Sequence, residues 1–135
     1  MNVSAFAVLP YVVTSLVYFV IGSIWYMPLF GKIWQKQTGV TMTASPGMGA
    51  MIWPMIGQLV GSFLFVCGVY MVVMLGNFST LKGGLIAGAS VGAFFGLSIN
   101  SGKLLFQGKP VLFLIDAGYN VVGALVAGVM LALWK

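Results

Sequence analysis

Four apolar stretches, parted by short polar breaks, take up most of this chain. Each is close to the roughly 20 residues that a helix needs to cross the hydrocarbon of a bilayer. Helices are expected over about 5–30, 51–75, 81–106 and 110–134. The runs lack the alternation of a membrane barrel strand, and lipid offers backbone groups no partner outside their own segment. The expected fold class is therefore all-α: an integral membrane protein with four transmembrane helices in one compact bundle, a single domain over 1–135. With 61% apolar and 5% charged residues, the chain cannot coat a soluble surface, which needs about a quarter of its residues charged. Pro10 and Pro54 fall near the starts of their spans, where a missing amide proton costs least. The opening MNVSAFAVLP has no basic flank and no exposed small-residue cleavage site, so it reads as the first retained span rather than a signal peptide.

The lysines, Lys32, Lys36, Lys82, Lys103, Lys109 and Lys135, lie near the expected span ends. That is a topology pattern and not a nucleic-acid footprint. Side B is the membrane face reached after the first and third spans, and side A the face carrying both termini. Side B holds four of the lysines against Lys82 and Lys135 on side A, so the positive-inside rule puts side B in the cytoplasm and both termini outside a prokaryotic inner membrane. Trp25, Tyr26, Trp34 and Trp53 near side B, and Trp134 near side A, fit an interfacial aromatic belt. Cys67 is the only cysteine and there is no histidine, which excludes an intrachain disulfide and Cys-His metal sites. No cofactor is implied. The longest break, Gly31 to Ala50, is expected to be irregular for its Gly, Ser, Thr and Pro content, and its Gly47-x-Gly49 pair is a weak phosphate-loop signal with no strand-turn-helix around it.

Gly84, Gly88, Gly92, Gly96 and Asn100 recur at every fourth residue of the third span. Such a stripe of small residues lets a second helix approach closely, which is what drives association in lipid. The partner is either another span of the same bundle or a second copy of the chain. Gly57 with Gly61, and Ala124, Gly128 and Ala132, repeat the signal more briefly. Leu29-Phe30-Gly31-Lys32 and Leu105-Phe106-Gln107-Gly108-Lys109, both on side B, hint at two duplicated hairpins, though chance likeness explains them equally well.

Asp116 is the only acidic residue, and it sits inside the fourth apolar run, where a carboxylate needs a partner or a wet cavity. Counted from side B, Ser23, Gln58, Asn100 and Asp116 come out at roughly the same depth, about 9–10 Å. They would form one hydrogen-bonded layer. Asp116, Tyr119, Asn120 and Gly123 share a helix face, and Lys103, three residues beyond Asn100, is the cation expected to pair with Asp116. If that pair forms, the carboxylate stays ionised; if Lys103 snorkels to the headgroups instead, Asp116 would tend to protonate and could relay protons or cations. With one carboxylate and no histidine, neither an acid-base pair nor an activated nucleophile is assembled, so no enzyme is expected. The leading expectation is a homo-oligomer that binds or passes a small solute or ion through the polar layer, with Asp116, Asn100, Lys103, Gln58, Tyr119, Asn120 and Ser23 as its groups. The alternative is a structural or accessory membrane subunit whose polar layer only locks its own helices.

Trp25-Tyr26-Met27-Pro28-Leu29-Phe30-Gly31-Lys32-x-Trp34, with Leu105-Phe106-Gln107-Gly108-Lys109-Pro110 and Leu112-Phe113-Leu114-Ile115-Asp116-Ala117-Gly118-Tyr119, resembles the family of small prokaryotic membrane proteins known as domain of unknown function 1761. The likeness covers nearly the whole chain, although the second span matches only in character. It implies a compact multi-span helical protein and carries no activity with it. Relatives with asparagine at the position of Asp116 imply that hydrogen bonding matters more there than titration.

Overall fold

The computed structural model describes residues 7–39 and 48–134. Helix α1 (Val8–Ile24) runs on through a π-helical turn, Trp25–Leu29; α2 is Gly31–Thr38 and α3 Met48–Leu75. Helix α4 (Leu81–Val91) passes through a second π-helical stretch, Gly92–Leu97, into α5 (Ser98–Leu105), and α6 is Pro110–Leu133. The described residues contain no strand. Among them, four helices are long and apolar enough to cross a membrane: Val8–Leu29, Ile52–Leu75, Leu81–Leu105 and Pro110–Leu133, here the first to fourth spans. Residues 5 and 6 of the expected first helix lie outside the described residues.

The break after the first span is not wholly irregular. Gly31–Thr38 forms a helix, because Lys32, Gln35, Lys36 and Gln37 are good helix formers and no proline interrupts them. It stops at Gly39, whose φ of 74° is left-handed and whose amide donates to the Gln35 carbonyl at 2.9 Å, a glycine cap. Gly47 lies outside the described residues, and Gly49 belongs to α3. Thr80 caps α4 by accepting the Gly83 amide at 3.1 Å. Pro110 opens α6 at a position where no amide proton is needed. The two Leu-Phe-Gly-Lys-like segments differ in backbone, since Gly31 is helical while Gly108 turns at φ 62°.

The fourth span is the hub, packed against the first, second and third. Its contact with the third span is the most extensive, and glycine is the reason. A Cβ on Gly84 would stand 2.7 Å from the Gly128 carbonyl oxygen, one on Gly92 would stand 2.8 Å from the Val121 Cα, and one on Gly88 would run into the Ala124 carbonyl. Ala124, Gly128 and Ala132 supply the matching small surface. The third-span stripe is thus spent inside the molecule, and that face is not open to a second copy.

A four-residue repeat does not stay on one face of a regular α-helix, because each step overshoots a turn by about 40°. The π stretch at Gly92–Leu97 inserts an extra residue into one turn and winds the stripe back. Gly96 and Asn100 therefore still face the fourth span: Gly96 abuts Asn120, and Asn100 is buried.

The first and second spans join this pair through Tyr18, Val66, Val69, Tyr70 and Val73. Leu64, Phe94, Ile99 and Leu114 stand exposed on the outside. Water would penalise such a surface, whereas acyl chains match it.

Candidate functional site

Pro28 cannot donate a backbone hydrogen bond and crowds the carbonyl four residues before it. The end of the first span yields to it by widening into the π turn, closed by the Phe30 amide on the Trp25 carbonyl at 2.9 Å. Trp25 and Tyr26, placed in the lipid interface by composition alone, are thereby turned half inward. The Trp25 indole donates to the Ile115 carbonyl at 2.9 Å, and its ring lies over Gly118, where a Cβ would be 3.1 Å away. Tyr18 sits over Gly123 in the same way.

At Asp116 three spans meet. The Tyr26 hydroxyl donates to Oδ1 at 2.6 Å, and the Lys103 ammonium lies 2.5 Å from Oδ2. Lys103 also donates to the Asn100 Oδ1 at 2.6 Å, and the Asn100 amide returns to its own helix at the Gly96 carbonyl, 2.7 Å away. The side chain of Asp116 is 11% exposed and that of Lys103 30%. The charges cancel, and both carboxylate oxygens carry short bonds of the strong, charge-assisted kind. Replacing Tyr26 with phenylalanine removes one of them, and a loss of about 1.5–3 kcal/mol is expected. Its measure is the shift of the denaturant midpoint followed by helical circular dichroism in detergent, with the slope unchanged.

A second group lies one turn along the fourth span. The Tyr119 hydroxyl donates to the Tyr18 carbonyl at 3.2 Å, and the Tyr18 hydroxyl to Asn120 Oδ1 at 3.1 Å. Gln58 is exposed, and its amide reaches the Tyr119 hydroxyl only at 3.4 Å, beyond the usual length of such a bond. Ser23 does not join: its hydroxyl donates to the Phe19 carbonyl of its own helix at 3.2 Å. The expected single layer is therefore two clusters, linked by an edge-to-face contact of the Tyr26 and Tyr119 rings at 5.4 Å between centroids. Tyr18, Tyr26 and Trp25 were not among the expected site residues. The signal for the latter two was Pro28, which re-aims the residues just before it.

A family model described as "Protein of unknown function (DUF1761)" matches residues 9–132. The chain belongs to this family. No curated protein and no solved structure matches it. The match runs through all four spans and so takes in Tyr26, Asn100, Lys103 and Asp116 together. The cluster holds a carboxylate and an ammonium already neutralised by one another, ringed by hydroxyl and amide groups; among the described residues no group of three or more His, Cys, Asp or Glu gathers to hold a metal.

Proposed function

We propose that the protein is a structural or accessory subunit of a prokaryotic cytoplasmic membrane, non-enzymatic and self-associating, whose polar clusters fix the register of its spans. One observation carries this reading: both oxygens of the only carboxylate are engaged, one by the first span through Tyr26 and one by the third through Lys103. A path for a solute or ion would require those bonds to open in every cycle. The roughly 270 Å³ groove on the first span, lined by Val13, Leu16, Val17, Val20 and Ile21, is wholly apolar and offers an ion nothing. The lysine distribution orients side B to the cytoplasm and the termini outward.

The test is Asp116→Asn in proteoliposomes loaded with a pH-sensitive dye. Wild type and variant are expected to show the same proton and potassium leak as protein-free vesicles. A wild-type flux that the variant abolishes while remaining folded would overturn the reading in favour of translocation.

Self-association belongs on the second span, because the stripe of the third is occupied. Gly57, Gly61, Leu64, Gly68, Met71 and Leu75 alternate four and three apart and are all exposed. Nothing lies within 4 Å of a Cβ built on any of those three glycines. Beside them Gln58 exposes an amide that both donates and accepts, so a copy related by a two-fold axis satisfies it reciprocally. Gly61→Leu is expected to weaken a dimer about tenfold in detergent cross-linking while leaving the fold intact. An unchanged cross-linked fraction removes this face as the contact.

A further inference from the structure

We infer that α2 is a fixed shelf for the phosphate of anionic lipid headgroups in the side B leaflet, held by Lys32 and Lys36. Asp116 is the only Asp or Glu in the sequence, and Lys103 takes it. No acidic side chain in the whole chain, the loop of residues 40–47 included, is left to pair with Lys32 or Lys36. The two lie four apart on α2, hence on one helix face, and both are exposed. Ile33, between them in sequence, is also exposed. An exposed apolar side chain set beside a lysine pair, about 60–100° around the helix from it, is the pattern of a helix lying in the interface, apolar toward acyl chains and cationic toward headgroups.

The shelf is held in place from below. Trp34 packs edge-on against Tyr26, with 5.9 Å between ring centroids. Gly31 is seated so closely on the Tyr26 carbonyl that a Cβ would stand 2.6 Å from it. At the far end the Lys109 ammonium donates to the Gln37 carbonyl at 2.6 Å, capping the negative end of the helix dipole and adding a third cation near the same surface. The backbone that carries the lysine pair therefore does not have to be ordered when a headgroup arrives. A free phosphate would find the same charges, but only a lipid also offers acyl chains to Ile33 at this depth. The inference rests on the chain's place in a bilayer and is independent of the scaffold reading.

The experiment reconstitutes the full chain in nanodiscs of mixed phosphatidylglycerol and phosphatidylcholine, and counts lipids retained after detergent extraction by native mass spectrometry. Wild type is expected to retain phosphatidylglycerol selectively. The double variant K32Q/K36Q should bind it roughly ten- to thirty-fold more weakly, and K32R/K36R should hold it. K82Q, at the opposite face, should behave as wild type, and inorganic phosphate should not displace the lipid. Unaltered helical circular dichroism checks that the variants are folded. Equal retention by K32Q/K36Q, equal loss in K82Q, or displacement of the lipid by inorganic phosphate would each overturn the proposal.

Discussion

Lys103→Met is expected to destabilise the bundle by on the order of 3–5 kcal/mol, because it strips a buried carboxylate of its counter-charge and leaves it in a low-dielectric setting. Removing the other partner should cost less. With Asp116→Ala the orphaned ammonium, 30% exposed in the native state, can straighten toward the side B headgroups, whereas Asp116 sits on a short stem deep between three spans and cannot follow water. Asp116→Asn should be the mildest of the three, since the amide oxygen still accepts from Tyr26 or Lys103. The double variant Lys103→Met with Asp116→Asn should recover part of the loss, the signature of a coupled pair. Denaturant midpoints in detergent check the order. Equal destabilisation by the two single truncations would show that the pair's environment is not as asymmetric as its exposures indicate.

The same asymmetry marks how far the site was legible. Run length alone placed the four spans to within a few residues, because hydrocarbon thickness is a hard constraint and tertiary context cannot override it. The Lys103 to Asp116 contact was also legible: a lone acid and a nearby lysine at the same side of adjacent spans have few alternatives. Ser23 was misjudged because counting residues gives a height and not a bearing. Its hydroxyl satisfies itself on its own helix, at the Phe19 carbonyl. Tyr26 was missed for a different reason. A tyrosine close to the interface has both an apolar ring and a polar tip, and only the π turn forced by Pro28 decides which way that tip faces. Departures from a 3.6-residue period are invisible to any pattern that assumes it. Helix α2 was hidden by its neighbours, since the Ser-Pro-Gly-rich stretch that follows coloured the whole break as loop.

Gly88→Leu is expected to be among the most damaging single substitutions at the described residues, leaving too little folded protein to purify. A Cβ alone would already run into the Ala124 carbonyl and come within 2.7 Å of the Leu125 Cα. Both are backbone on an opposing helix and cannot rotate out of the way as a side chain could. The third and fourth spans would have to part along their length. Parting them pulls Asn100 and Lys103 away from Asp116, so the packing fault becomes an electrostatic one as well, and the two costs arrive together. Gly61→Leu supplies the control, because it is the same exchange in the same chain at a glycine with open space around it. If helix propensity or the bulk of leucine in a membrane span were what mattered, both variants would fail alike. If close backbone approach is what the stripe provides, only the third-span variant loses its fold, and detergent yield with helical circular dichroism separates the cases. A well-folded Gly88→Leu protein would mean that the third span can be held off the fourth at little cost, and the register on which the Asp116 cluster depends would then need another origin.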